Sequence, residues 1–341
     1  VLVTGAGGSI GSELCRQIIR CSPSMFVLLD RYENGLYEIA CELGTNGPSC
    51  PIQAVIADVT DPGRIENVMN EYRPSIVFHA AAHKHVPLME ISPCEAVKNN
   101  VLGTRVLAEA ACRAEVERFI LISTDKAVNP TSVMGVTKRV AELIIQSKNR
   151  FNNGHTVFAA VRFGNVLGSN GSAVPRFLWQ IKAGGPVTVT HPEMRRFFML
   201  IPEAVQLVLH ATALARGGEI YVLEMGEQIK VVDMVRNLIR LSGFSAEEIP
   251  ITFTGVRPGE KLYEELVGSD ETVEPVGVSQ VLRVIPKQKM DGDILKRQLA
   301  DLEKFALRGD ITGVIDQLCE IVPTYAPDGI PSGSGVTQLA K

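Results

Sequence analysis

The chain predicts an α/β fold built on a doubly wound parallel sheet, and three observations carry that prediction. Short apolar, β-branched runs alternate with helical patterns through the first half of the sequence. The first run leads directly into a glycine-rich turn that opens a helix. The runs are continuously apolar, as strands covered on both faces must be; a strand with one wet face would alternate. In order, the predicted strands are residues 1–4, 26–30, 52–57, 76–80, 119–123 and 157–162. Helical patterns lie between them at 9–20, 33–43, 62–72, 94–114 and 134–149. Strand–helix–strand units at this spacing make right-handed crossovers.

After Arg162 the alternation lapses. Residues 164–202 are rich in glycine and proline, including Gly184-Gly185-Pro186 and His191-Pro192, and helical patterns follow at 202–215 and 231–243. The expected organisation is a nucleotide-binding domain over 1–163, to which later segments return, and a substrate lobe mainly over 164–286. Residues 287–341 then hold one amphipathic helix from about Asp291 and a flexible tail running through Pro327 to Gly335.

Composition narrows the function classes. With 341 residues, 45% hydrophobic and 21% charged, the chain is neither disordered nor collagen-like. A net charge of −4 offers no basic footprint, so no nucleic-acid partner is expected. Seven cysteines without a Cys-x-x-Cys pair read as free thiols of a reducing compartment. The histidines at 79, 83 and 85 lack an acidic or thiol partner at ligand spacing, so no metal site is predicted. No apolar run is long enough to span a bilayer.

Thr4-Gly5-Ala6-Gly7-Gly8-Ser9-Ile10-Gly11 joins the first strand to the first helix. Glycines at 5, 8 and 11 allow a tight turn, close approach of backbone to a pyrophosphate, and close helix–strand packing. Ser9 and Ile10 sit at the helix start, whose free N–H groups face the phosphates. Asp30, at the end of the second strand, is placed to accept from the adenosine ribose. Its charge repels a 2′-phosphate, whereas Arg31 attracts one; NAD is the expected cofactor and NADP the alternative. Asp58 and Val59 end the third strand beside the adenine position, and Ala80-Ala81-Ala82 leaves room for the cofactor to pass.

These motifs, with Lys138 four residues after Met134, resemble the extended short-chain dehydrogenase/reductase superfamily, which has a Rossmann fold. Four further segments narrow the likeness: His79-Ala80-Ala81-Ala82-His83-Lys84-His85-Val86-Pro87, Ser123-Thr124-Asp125-Lys126-Ala127, Arg162-Phe163-Gly164-Asn165-Val166 and Arg257-Pro258-Gly259-Glu260-Lys261. Together they resemble the capsular-polysaccharide branch, the UDP-N-acetylglucosamine 4,6-dehydratases, over roughly residues 1–286. The superfamily pattern is Tyr-x-x-x-Lys, but here Met134 stands at the tyrosine, and a thioether transfers no proton. Two readings follow: an inactive nucleotide-binding relic, or the methionine subgroup associated with retention of configuration at C5.

The resemblance implies that Asp125 protonates the departing C6 oxygen, Lys126 takes the C5 proton, and Thr124 bonds the C4 oxygen. It implies that Lys138 binds the nicotinamide ribose. On physical grounds Asp125 must then be held protonated, and Lys126 must have its pKa depressed. For the UDP-sugar, Arg196 and Arg257 suit the diphosphate, Glu260 the uridine ribose, and the Val189-Thr190 segment the uracil. Asn165 is expected at the sugar or α-phosphate, and Lys84 and His85 at the sugar pocket. A structural role is expected for His79. The competing readings are a UDP-sugar epimerase and an inactive NAD-binding scaffold. Relatives associate through helices equivalent to 94–114 and 134–149, so a homo-oligomer is expected. Because the chain opens on Val1 within a strand, and long methionine-type relatives are membrane-anchored, it is expected to be the catalytic part of a longer protein. That part would lie at the cytoplasmic face of the inner membrane.

Overall fold

A computed structural model describes residues 1–45, 47, 50–151, 155–287 and 290–327. The first six strands are β1 (Leu2–Thr4), β2 (Phe26–Asp30), β3 (Ile52–Ile56), β4 (Ile76–His79), β5 (Arg118–Ile122) and β6 (Val157–Arg162). Each falls within a residue of its predicted run. Helices α1 (Ser9–Ile18), α2 (Glu33–Gly44) and α3 (Pro62–Tyr72) connect the early strands. Two short helices follow β4, α4 (Val86–Ile91) and α5 (Pro93–Ala96), then a π-helical segment over Val97–Leu102, then α6 (Gly103–Arg113). Helix α7 (Val133–Phe151) lies between β5 and β6.

The second half supplies β7 (Asn165–Leu167), α8 (Ala173–Lys182), β8 (Val187–Val189), β9 (Arg195–Arg196), β10 (Phe198–Leu200) and α9 (Ile201–Leu214). It continues with β11 (Glu219–Leu223), β12 (Ile229–Lys230), α10 (Val231–Leu241), β13 (Ile251–Phe253), β14 (Glu271–Pro275) and β15 (Val281–Pro286). Helices α11 (Gly292–Arg308) and α12 (Ile311–Ile321) end the described chain.

Nine strands form one sheet in the order β14-β15-β11-β6-β5-β4-β1-β2-β3. The run from β11 to β3 is parallel, and β15 and β14 add an antiparallel edge. Neighbouring residues of one strand go to opposite sides. Val3, Leu28 and Phe78 join one apolar cluster, whereas Leu2, Val27 and Val77 join the other. This is the period-2 signature of a sheet sandwiched between helix layers. Each fully buried Leu or Phe contributes about 1.5–3 kcal/mol relative to exposure. Strand order reverses at β1, which pairs β2 on one side and β4 on the other. The crevice beyond the carboxyl ends of such strands is where ligands bind.

Three expectations need correction. Strand β3 is not covered on both faces: it is the sheet edge, and Ile56 is 57% exposed. The single helix predicted over 94–114 is broken by the π-helical segment, which carries Asn99 and Asn100. One predicted C-terminal helix is two. Gly309 takes the left-handed conformation (φ 73°), which ends α11, and Asp310 Oδ1 accepts from Gly313 N at 2.9 Å, which starts α12. The two helices pack on the apolar side chains of the π segment and α7, with Leu295, Leu302 and Leu318 against Val97, Val101, Val140 and Ile144. They therefore occupy part of the face offered by 94–114 and 134–149. The expected tail beyond Pro327 lies outside the described residues. Among the described residues no helix is long and apolar enough to cross a membrane, and all seven cysteines are free thiols.

Candidate active site

The carboxyl ends of β1, β4, β5 and β6 open on one cavity of about 740 Å³, which is also lined by a second lobe, the small sheets β8–β13 and β9–β12 with α8 and α10 around their own apolar core. At β1 the glycine turn is as tight as its sequence suggests. A Cβ on Gly11 would lie 1.9 Å from Gly5 O, and one on Gly5, at φ +68°, would lie 2.6 Å from Ala81 N. Only glycine lets this loop rest on the alanine run while α1 opens at it. Asn170 N donates to Ser9 Oγ at 2.9 Å, so a loop of the second lobe reaches over the turn.

Asp30, Arg31, Asp58, Val59 and Ala81, all expected at the cofactor, lie outside that cavity lining. Asp30 ties the turn to α2, accepting from Gly7 N and Tyr32 N, both at 2.9 Å. Arg31 pairs with Asp58 at 3.3 Å and donates to His83 Nε2 at 2.9 Å. Val59 is a core residue whose side chain packs beneath Gly103. The three histidines diverge. His79 is fully buried, bonded to Thr4 Oγ1 at 2.8 Å and Thr104 Oγ1 at 3.0 Å, and burial pushes its pKa down to about 3. It staples β1 to β4 at the reversal point. His83 meets Arg31 and lines the cavity together with Lys84 and His85. Burial lowers the pKa of both Lys84 and His85.

At the end of β5, Thr124 Oγ1 donates to Asp125 Oδ1 at 2.9 Å. Lys126 Nζ donates to the same Oδ1 at 2.9 Å and to Asn165 Oδ1 at 3.0 Å. Asp125 is wholly buried, and its Oδ2 has no hydrogen-bond partner among the described residues. Burial, the strongest influence on Lys126, lowers its pKa, but Asp125 and Glu264 together outweigh burial and hold it above the ordinary lysine value. That corrects the expected depression, because two carboxylates face this ammonium.

Helix α7 brings Met134 and Lys138 into the same cavity. It approaches so closely that a Cβ on Gly135 would lie 2.2 Å from Lys126 O, which explains the glycine after Met134. Met134 is 4% exposed and packs with Met89, Ala96, Val133 and Ile315. Lys138 is buried, and burial pulls its pKa down to about 8 against the raising influence of Glu142. Beneath them Arg162 bonds Glu142 and Glu271, both buried, and Ser123 Oγ donates to Glu142 Oε1 at 2.7 Å.

The second lobe contributes Val189, Thr190, Arg196, Arg257 and Glu260 to the lining. Val189 is anchored in the lobe's core, and its carbonyl accepts from Thr254 N at 3.0 Å. Arg196 is partly spent on protein groups: its Nη1 donates to Arg195 O at 2.7 Å and Leu262 O at 3.3 Å. Arg257 and Glu260 close a turn, Glu260 N donating to Arg257 O at 3.1 Å.

Two residues escaped the sequence reading. Asn100 Nδ2 donates to His83 O and to Thr137 Oγ1, both at 3.0 Å, pinning the β4 loop to α7. The available signal was a pair of adjacent asparagines inside an apolar helix pattern. Glu264, 4% exposed, lines the cavity with Oε1 3.8 Å from both Lys126 Nζ and Arg196 Nε. Nothing in its local sequence separated it from its neighbour Glu265.

Residues 1–286 match the family model described as "Polysaccharide biosynthesis protein". The chain belongs to this polysaccharide biosynthesis family. The capsular polysaccharide biosynthesis protein CapD of Staphylococcus aureus is 58% identical over 292 residues, which cover 85% of this chain and 48% of CapD. The chain thus spans about half the length of the curated relatives it matches. A UDP-glucose 4-epimerase of Rickettsia bellii is 33% identical over 319 residues, covering 92% of this chain and 90% of that one. Among solved structures, Pen from Bacillus thuringiensis superposes with TM-score 0.76 at 31% identity, covering 85% of this chain and 88% of Pen. The dTDP-glucose 4,6-dehydratase DesIV of Streptomyces venezuelae, solved with NAD bound, shares the fold at TM-score 0.69 and 21% identity, covering 78% of this chain and 88% of DesIV. The family's fold is therefore the mostly parallel, Rossmann-type sheet of short-chain dehydrogenase/reductases.

Proposed function

We propose that this member of the polysaccharide biosynthesis family is a nucleotide-sugar 4,6-dehydratase acting on UDP-N-acetylglucosamine with bound NAD. It would give the UDP-4-keto-6-deoxy sugar with retention at C5. The observation that carries the reading is the Thr124–Asp125–Lys126 cluster: Thr124 and Lys126 line one cavity with the glycine turn, Lys138 and the second-lobe arginines, and the buried Asp125 is hydrogen-bonded to both of them. The close-packed turn over Gly5 and Gly11, the start of α1, and Lys138 fit a dinucleotide, with Asp30 available at the ribose. NAD, when bound there, would supply a reversible hydride acceptor, so that oxidation at C4 and reduction at C6 leave no net redox change.

The chain's own residues then move protons. Thr124 hydrogen-bonds the C4 oxygen. The C4 hydroxyl proton passes to water as C4 is oxidised. Once C4 is a ketone, the C5 proton is acidic; Lys126 removes it while Asp125 protonates the departing C6 oxygen, which leaves as water. Lys126 then returns a proton to the same face of C5 as C6 is reduced, which retains the configuration, and Asp125 regains its proton from water. The elimination requires a neutral lysine beside a protonated carboxyl. The resting Lys126–Asp125 ion pair is one proton transfer from that state, along the 2.9 Å hydrogen bond from Nζ to Oδ1. Closing substrate over the pair removes water and favours its neutral form. Arg257 and Arg196 are assigned to the diphosphate, Glu260 to the uridine ribose, Val189 and Thr190 to uracil, and Asn165, Lys84 and His85 to the sugar.

An epimerase needs the C4 ketone but neither a C5 base nor a C6 acid, so the adjacent acid and lysine favour dehydration. Incubation with UDP-N-acetylglucosamine in deuterated water, followed by NMR, decides the matter. A 4-keto-6-deoxy product is expected; a C4-epimerised sugar with intact C6 would establish the epimerase instead, and no reaction the scaffold. We also assign a homo-oligomer and an attachment to the cytoplasmic face of a membrane through residues outside this chain. Sedimentation and membrane fractionation of the longer protein test these two assignments.

A further inference from the structure

We infer that Glu264 is a positioning residue for Lys126: with Arg196 as its counter-ion, it holds the ammonium in place and sets how readily Lys126 becomes a neutral base. This rests on the reading of Lys126 as the C5 base. Glu264 reaches the cavity from the loop between β13 and β14, more than a hundred residues from Lys126. That loop is tied to both lobes. Arg195 N donates to Leu262 O at 2.9 Å, Thr131 Oγ1 to Gly259 O at 3.1 Å, and Lys261 Nζ to Val128 O at 2.8 Å. The Glu264 side chain is 3% exposed, with Oε1 3.8 Å from Lys126 Nζ and 3.8 Å from Arg196 Nε. Its second oxygen, Oε2, is buried with no hydrogen-bond partner among the described residues. A buried carboxylate with an unsatisfied oxygen is costly, and its place 3.8 Å from Lys126 Nζ points to a role in charge.

The charged groups facing Lys126 are Asp125 from the end of β5, Glu264 from this loop and Arg196 from β9. In the proposed chemistry Asp125 changes charge together with the lysine, neutral when Lys126 is neutral and a carboxylate when Lys126 is an ammonium. Glu264 takes no part in that proton exchange and stands as the fixed charge beside the lysine, and Arg196 limits its influence. Both negative groups raise the lysine's pKa and the arginine lowers it. Removing the charge of Glu264 must therefore shift Lys126 towards the neutral amine.

The test measures Lys126 itself, without turnover. A pulse of deuterated acetic anhydride at about pH 8 labels only neutral amines, and mass spectrometry reads the peptide that carries Lys126. Glu264→Gln should raise the labelling rate at Lys126 at least about tenfold, since an opposite charge at this range is worth about 1–3 pKa units. Glu264→Asp, which keeps the charge, should restore most of the wild-type rate. An unchanged rate in the Gln variant, or equal change in Gln and Asp, overturns the assignment. Turnover of UDP-N-acetylglucosamine by the same variants then tests the base separately. If Lys126 is the base, the acid limb of the kcat profile moves to lower pH in Glu264→Gln. A labelling change without any turnover by the wild type would uphold Glu264's action on Lys126 and sink the dehydratase reading alone.

Discussion

Two lysines enter the cavity from neighbouring elements, and their surroundings pull them in opposite directions. Lys126, at the end of β5, faces Asp125 and Glu264 and is held above the ordinary lysine pKa. Lys138, inside α7, has only Glu142 to offset its burial and falls to about 8. Both are desolvated, so burial alone does not predict the charge of either. What differs is the number of carboxylates that the tertiary structure places beside each one. In the proposed chemistry, one lysine must lose a proton and the other must keep its charge near the cofactor.

The comparison breaks most sharply at Lys126. Lys126→Ala should lower turnover by about 10²–10⁴-fold or abolish it, with C5–H exchange lost in parallel. Normal product formation by that variant, checked for folding by circular dichroism, would remove Lys126 from the chemistry.

Next in size is the ion network below the two lysines. Burial opposes the charge on Glu142, but Arg162 outweighs it, with help from Arg139 and Ser123, and holds the carboxyl at about 2. Arg162→Leu would leave Glu142 and Glu271 buried without their main partner. A loss of about 3–5 kcal/mol is expected in urea unfolding. A loss below about 1 kcal/mol would mean that water replaces the guanidinium.

Lys138 gives a pH dependence whose sign follows from linkage. Its folded pKa of about 8 lies below the ordinary lysine value of 10.5, so the unfolded chain binds more protons between those limits. The cost of burying this ammonium is fully present below about pH 8 and relieved as pH rises towards 10.5. Lys138→Met should remove that part of the slope of urea stability against pH, an effect of up to about 3 kcal/mol across the window. An identical slope in the variant would place the lysine's pKa near its ordinary value.

The smallest effect is expected at Met134. Met134→Tyr should retain turnover, because the proposed acid and base are Asp125 and Lys126. Packing against Met89, Val133 and Ile315 should make the larger side chain cost about 1–3 kcal/mol of stability. Abolished turnover in a folded variant would show that Met134 contributes more than shape.

How much of this was legible in sequence varies with distance along the chain. Five of the six parallel strands and the glycine turn were readable because a doubly covered strand and a glycine-rich strand-to-helix turn each leave a local pattern; the edge strand β3 was read as a strand but not as an edge. The break at Asn99 and Asn100 was not, since the sequence period there continues as a helix. The raised pKa of Lys126 was also illegible, because Glu264 lies far along the chain and local sequence does not distinguish it from Glu265. The second C-terminal helix was missed although Gly309-Asp310 is a stop followed by a start.

By itself, then, the sequence determined the layered α/β class, the glycine-rich turn after the first strand and the adjacency of Asp125 and Lys126, all of which depend on residues within a few positions of one another. Tertiary structure alone decided the charge environment of that pair. It did so by folding the 257–265 loop onto β9 and the 129–131 segment, which puts Glu264 and Arg196 against Lys126. Coulomb energies depend on distance in space, and no local pattern encodes a 3.8 Å approach between residues 126 and 264.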